Sequence, residues 1–197
     1  RATPVSVRAY SRTFVGVARH SGLFAIRREI KKCVKSFKTG KGGCRIRIPI
    51  VVVGLDYPNQ LWHIEDAQEG RGENLGRARL PAVLRYQKSY INRRSWPGGR
   101  SPRGLDYACA IPRDLEQVEK NHGGGEMDCD EYPFSLSKEG EYQRYKSHQV
   151  SLRFIPRAEN KHFGFRVLVR VRPRKTGQPF IVAPLRWSAK SFVIPGK

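Results

Sequence analysis

Long hydrophobic runs are missing from this chain. The longest, residues 48–55, is broken by Pro49 and Gly54. A bilayer-spanning helix needs roughly 20 apolar residues, so no segment is predicted to cross a membrane. Acidic residues are scarce: 17 Asp and Glu stand against 38 Lys and Arg, a formal net charge of +21. No CxxC pair occurs and no His lies at zinc-ligand spacing from a cysteine, which disfavours a zinc site. GxSxG, P-loop and HExxH patterns are absent, so the usual signatures of serine hydrolases, nucleotide-binding loops and zinc peptidases are missing too. There is no internal repeat and no clean linker. What is present is 197 residues of which 39% are hydrophobic, enough for a real core in one medium domain. The chain opens on Arg1 with no signal-like apolar stretch, and is read as a mature or excised chain.

So large a positive charge is costly through self-repulsion. Nucleic acid is the leading partner, because each Lys or Arg that meets a phosphate releases counterions. An anionic membrane surface or an acidic protein comes second, and a solubility surface is the bland alternative. Arginines alternate with aromatic residues in Arg85-Tyr86, in Tyr90-Ile91-Asn92-Arg93-Arg94-Ser95-Trp96 and in Tyr142-Gln143-Arg144-Tyr145. Guanidinium groups fork onto phosphates and stack on rings, so this mixture favours a polynucleotide over lipid.

The four cysteines are Cys33, Cys44, Cys109 and Cys129. An even count with two locally close pairs suggests Cys33–Cys44 and Cys109–Cys129 disulfides, each stabilising by about 3 kcal/mol through loop closure. That implies an oxidising compartment and a secreted, extracellular protein. Three connectivities are open, as is a set of four buried thiols in a reducing compartment.

Hydrophobic spacing predicts a mixed α+β chain. Residues 1–20 alternate as short strands. Residues 22–37 carry Leu23, Ile26, Ile30, Val34 and Phe37 at helical spacing above a basic outer face. Residues 45–54 read as a strand, and Asn59 is placed as the cap of a helix running to about Gln68. Short strands are predicted at 81–86, 149–155, 164–172 and 179–185, and a helix at 112–120. Residues 1–44 are expected to form an N-terminal extension packed on a domain spanning 45–197.

One segment departs from the basic background. Glu126, Asp128, Asp130 and Glu131 put four carboxylates within six residues. Such a cluster needs a compensating cation, either a metal ion or arginine. In an extended segment, Asp128 and Asp130 project to one side at a spacing suited to one ion. A second constellation runs from Pro156 to Gly164. Glu159 and Asn160 offer hard oxygen ligands, His162 a base or ligand, and Gly164 allows close backbone approach. His63, inside the helix after Asn59, reads as a surface or packing residue, and His20 and His148 have no evident partners. Cys129, among carboxylates, is a poor nucleophile.

Cys129-Asp130-Glu131-Tyr132-Pro133-Phe134-Ser135, followed by Glu139-Gly140, resembles the hallmark of the NucA/NucB deoxyribonuclease family. Residues 156–164, with Glu159-Asn160 and Gly164, resemble its second motif. Ile48-Pro49-Ile50-Val51-Val52 and His63-Ile64-Glu65-Asp66-Ala67-Gln68 look like upstream elements of secreted members, and Asn92-Arg93-Arg94 is similar to a basic stretch before the hallmark. The resemblance covers residues 45–185. It implies a mixed or antiparallel sheet with a ββα-metal, HNH-like nuclease core. Carried over, Asp130 becomes the general base with Glu131 supporting it, Asn160 the ligand of a Mg²⁺ or Mn²⁺ ion, and Glu159 and Asp128 further ligands. Cys129 stands where many members have arginine, as in a disulfide-bearing branch. The family carries a helix after the Asn, often with a further acid. Here residues 164–172 alternate like a strand and contain no acid, which leaves the metal shell to other residues or the activity altered.

The function implied is metal-dependent, sequence-independent cleavage of DNA, with RNA a further substrate. Arg93, Arg94, Arg153, Arg157 and His162 are expected to position the backbone. Two alternatives accompany this. One is a non-catalytic basic nucleic-acid-binding protein. The other is the same nuclease as a toxin domain opposed by an acidic immunity or inhibitor protein. A monomer is expected.

Overall fold

The computed structural model describes residues 26–40, 44–71, 79–87, 126–140, 150–171 and 176–196. The expected strands of 1–20 and helix of 112–120, together with Arg93, Arg94 and Cys109, lie outside the described residues.

The elements run α1 (Arg27–Thr39), β1 (Ile50–Val53), α2 (Pro58–Glu69), β2 (Val83–Arg85), β3 (Met127–Tyr132), β4 (Ser151–Pro156), α3 (Arg157–Arg166), a 3₁₀ turn (Leu168–Val171), β5 (Pro179–Pro184) and β6 (Phe192–Ile194). A mixed four-stranded sheet has the order β2-β5-β1-β6, and β3 and β4 form a separate antiparallel pair. In the sheet β1 is parallel to β5 and antiparallel to β6, while β2 is antiparallel to β5.

The sequence of β1, Ile-Val-Val-Val, is buried throughout. Alternation sends Ile50 and Val52 to one face of the sheet and Val51 and Val53 to the other. The first face is covered by α1, whose Ile26, Ile30, Cys33 and Val34 pack on Ile50, Val52, Ile181 and Ala183. The opposite side of α1 is the expected basic, exposed one, and Gly40 closes the helix at φ 67°, a left-handed conformation that glycine adopts without strain. Phe37, placed on the apolar stripe by its spacing, is half exposed and stacks on Phe192 at 5.4 Å. The Cys33–Cys44 disulfide is formed and ties the middle of α1 to the chain leading into β1. Cys129 is also disulfide-bonded.

The second face of the sheet is covered by α2, α3 and the β3–β4 hairpin. Leu61, Ile64, Tyr132, Phe134 and Phe163 meet Val51, Val53, Phe180 and Val182 there.

The strand expected at 164–172 is not formed. Residues 164–166 complete α3, and 168–171 form the 3₁₀ turn. Val167, Val169 and Val171 recur at a period of two, but Val167 and Val171 also continue Phe163 at intervals of four. All three are buried in one core cluster, whereas Val169 is exposed. The helical period wins because the sheet offers an apolar face on which the stripe of Phe163, Val167 and Val171 packs. Helix α2 begins at Pro58, with Tyr57 as its N-cap, so Asn59 lies inside the helix and does not cap it. Proline suits a first helical position, where its missing N–H has no partner to lose. Strand β6 had no counterpart among the expected elements.

Replacing Cys33 and Cys44 together by alanine removes an 11-residue closure. It is expected to lower stability by about 2–4 kcal/mol, read as a lower thermal midpoint with the circular dichroism of the folded state unchanged. An unchanged midpoint would show that packing alone holds α1 in place.

Candidate active site

The acid-rich segment folds as β3 and pairs with β4 in register, Asp128 with Ile155, Asp130 with Arg153 and Tyr132 with Ser151. Strand alternation places Asp128, Asp130 and Tyr132 on one side and Met127, Cys129 and Glu131 on the other. Met127 and Cys129 pack there on Phe154 in a small apolar cluster. Strand β4 runs directly into α3, so the two strands and the helix form one ββα unit carrying both motifs. The first side of the hairpin faces α2.

Helix α2 binds this unit along one stripe. Asn59 donates to Glu159 Oε2 at 2.7 Å, and the backbone N–H of Gln60 donates to Glu159 Oε1 at 2.9 Å. The Gln60 side-chain amide donates to Asn160 Oδ1 at 3.2 Å. One turn further, His63 Nδ1 meets Asp130 Oδ2 at 2.6 Å and His63 Nε2 meets Ser151 Oγ at 3.1 Å. Another turn on, Asp66 accepts from Arg153 at 2.9 Å and from Arg71. At about 1.5 Å of rise per residue, Gln60 and His63 are roughly 4.5 Å apart along the axis. Asp130 and Asn160, which come from different elements, are thus bonded to adjacent turns of one helix. Glu159 sits over the first turn of α2, where unpaired N–H groups and the helix dipole favour an anion.

The structure brings the predicted residues together in part. Asp130 is 4% exposed and His63 fully buried, so His63 is a partner of the expected base and neither a surface nor an apolar packing residue. Glu131 points away from Asp130 and accepts from the Ser135 backbone at 3.1 Å. Asp128 forms an ion pair with Arg157 at 2.7 Å, and Arg157 also reaches Glu126 at 2.8 Å. Arginine is therefore the cation of the acid cluster at Asp128. Arg153 is engaged with Asp66. His162 is exposed, its Nδ1 3.2 Å from the Tyr57 hydroxyl. Gly164 lies in the last turn of α3, and apart from the helix's own neighbouring backbone no heavy atom lies within 4 Å of where a Cβ would stand, so no other element approaches closely there.

Most of the hallmark is scaffold. The Tyr132 hydroxyl is fully buried, donates to the Pro81 carbonyl at 2.8 Å and accepts from Gln68 at 2.7 Å. Burial drives its ionisation well above the usual tyrosine range. Glu139 accepts from the Arg85 backbone at 2.8 Å and from its guanidinium at 2.7 Å, locking the segment that follows β3 onto β2. Gly140 is needed beside it, because a Cβ there would collide with the backbone at Phe134.

A divalent ion, which the resemblance of the second motif implies, fits the residues that are present. Among the described residues no three His, Cys, Asp or Glu gather as a metal cluster. A small hard cation, however, keeps several waters and takes only one or two protein oxygens. Glu159 and Asn160 supply such oxygens. Beside them the buried Gln60 Oε1 has no hydrogen-bond partner, an acceptor that an unfilled positive charge or donor would satisfy.

The Asp66 carboxyl is subject to partial burial, which raises its ionisation, but the hydrogen bonds from Arg153 and Arg71 outweigh this and hold it below the usual range. A carboxyl lowered in the folded state stabilises above its unfolded value, near 4, and loses that contribution as pH falls through the lower folded value. Asp66→Asn removes this contribution. The stability gap between wild type and variant is therefore expected to be open at pH 6 and to close below about pH 4, followed by urea unfolding. A gap independent of pH would contradict the ion pairing.

The sequence pattern of the family described as Deoxyribonuclease NucA/NucB matches residues 82–183, just over half of the chain. That span runs from the lead-in to β2 through β5 and contains the whole ββα unit, while α1, β1 and α2 precede it. No curated protein matches the chain. With the hallmark on a hairpin, the second motif on the helix that follows, and the match across both, this chain belongs to the NucA/NucB deoxyribonuclease family.

Proposed function

We propose that the chain is a divalent-metal-dependent, sequence-independent endonuclease that hydrolyses DNA phosphodiester bonds, with Asp130 as the general base. The observation that carries this reading is the attachment of Asp130 and Asn160 to adjacent turns of α2. It sets a nearly buried carboxylate beside a cluster of hard oxygen ligands. Asn160 and Glu159 would hold the ion, with Gln60 as a further oxygen, and a bound Mg²⁺ or Mn²⁺ would offset charge developing on the scissile phosphate. Asp130 takes a proton from the attacking water. His63 occupies Oδ2, which assigns the proton to Oδ1. Glu131 and Asp128 drop out of the chemistry, since one braces the turn after β3 and the other neutralises Arg157.

Arg153, directly across the hairpin from Asp130 and paired with Asp66, and Arg157 at the start of α3, paired with Asp128 and Glu126, would exchange part of that pairing for the phosphate backbone. Backbone contacts carry no base information, which supports cleavage without sequence preference. The Cys33–Cys44 disulfide supports an extracellular setting. The charge of +21 makes an acidic inhibitor protein the natural partner besides DNA. No helix among the described residues is long and apolar enough to cross a membrane.

The test is cleavage of supercoiled plasmid with Mg²⁺ or Mn²⁺, with and without EDTA. Wild type is expected to nick and linearise the plasmid and to stop in EDTA. Asp130→Ala should lose roughly 10²–10⁴-fold in rate, the usual contribution of a positioned base. Equal gels for the two proteins would remove Asp130 from the mechanism. Salt-dependent retention of DNA without cutting under either ion would establish the non-catalytic binder instead.

A further inference from the structure

We infer that His63 is a positioning residue for Asp130, with Ser151 fixing the orientation of its ring. The inference rests on the nuclease reading above and adds to it a residue of α2, upstream of the family-matched span.

Both ring nitrogens are engaged and the ring is fully buried. Nδ1 lies 2.6 Å from Asp130 Oδ2 and Nε2 lies 3.1 Å from Ser151 Oγ. In the neutral ring, Nδ1–H donates to the carboxylate and Nε2 accepts from the serine hydroxyl. No ring atom is left to meet water or a phosphate, so His63 itself transfers no proton to substrate. The chain of Asp, His and Ser resembles a serine-hydrolase triad in its order of contacts. Ser151, however, is 2% exposed on the side of β4 packed against α2, with its oxygen turned to the histidine. A serine so enclosed cannot attack a polymer, and the triad collapses to a support for its carboxylate.

The support is stiff. Ser151 is register-paired with Tyr132, two residues beyond Asp130 on β3. His63 stands on a helix that is itself fastened to Glu159, Asn160 and Arg153. A bond from the ring to Oδ2 therefore selects one rotamer of Asp130 and aims Oδ1 relative to the oxygens of the second motif. Groups that orient a reacting or ligating residue through a hydrogen bond commonly matter 10- to 100-fold in activity, roughly.

The test uses the full-length, oxidised chain and plasmid cleavage with Mg²⁺, reading kcat and KM separately alongside the thermal midpoint. His63→Leu is expected to lower kcat by roughly 10–100-fold with KM unchanged. His63→Asn places an amide N–H close to the position of Nδ1 and should recover most of that loss. Added to Asp130→Ala, His63→Leu should cost nothing more, because there is no carboxylate left to aim. Ser151→Ala leaves Asp130 and His63 in place and should lower kcat by less than His63→Leu does. It carries the test if His63→Leu fails to fold. Wild-type kcat in His63→Leu, or in Ser151→Ala should His63→Leu be unfolded, would overturn the inference. Equal losses in the Leu and Asn variants, or a loss confined to KM, would do so as well. If Asp130→Ala cleaves like wild type, the base assignment fails and the role of His63 fails with it. If Asp130→Ala is inactive and His63→Leu is not impaired, only His63 is wrongly placed.

Discussion

A carboxylate taken almost wholly out of water must be met by a donor, and in this protein the donor is His63. Burying an ionised carboxyl without a partner costs several kcal/mol, about as much as a small domain can spare. The His63–Asp130 contact meets that demand, and it joins residues 67 apart in sequence. It also determines how the ββα unit sits on the rest of the molecule, because the same helix stripe that brings His63 also brings Asn59 and Gln60 to the second motif and Asp66 to Arg153. The hairpin is not part of the four-stranded sheet. Its attachment runs through α2, through the aromatic packing of Tyr132 and Phe134 on the core, and through Glu139 to β2.

The arrangement divides labour within the hallmark. Of Cys129 to Phe134, Asp130 alone is turned into the α2 interface with a polar side chain that the structure leaves in a position to do chemistry. Cys129 is in a disulfide and an apolar cluster, Glu131 holds the following turn, and Tyr132 and Phe134 are core. The acidic-Gly pair that follows is a fastener and a steric allowance. Most of the motif thus serves folding, and Asp130 is the one residue of it proposed for catalysis.

Much of this was legible in the sequence, and the missing parts have a common cause. The stripe of α1, the buried run of β1 and the strand at β4 follow from local period, and the association of the acid-rich segment with the Glu159-Asn160 motif follows from the resemblance to the family. His63 was not legible, because a lone histidine in a helix gives no sign of a partner that only the tertiary fold brings near. Residues 163–171 misled because Val167 and Val171 satisfy a period of two and a period of four at once. Only the apolar face of the sheet decides between them. The salt bridges of Asp128 and Arg153 were open alternatives in a chain so rich in arginine, and local sequence could not choose between an ion and a guanidinium as the counter-charge.

On the proposed reading, the basic surface and the acidic site are two sides of one electrostatic design: a polyanion is drawn in by excess charge, and a cation held by a few oxygens would act where the phosphate is cut. The account stands or falls on whether that cation sits at the second motif, within reach of Asp130. Crystals grown with Mn²⁺ and measured at a wavelength where manganese scatters anomalously decide it. The account predicts one strong anomalous peak at coordination distance from Asn160 or Glu159, with Asp130 still on His63 and facing it. A peak elsewhere, or none while Asn160 keeps only its bond to Gln60, would contradict it.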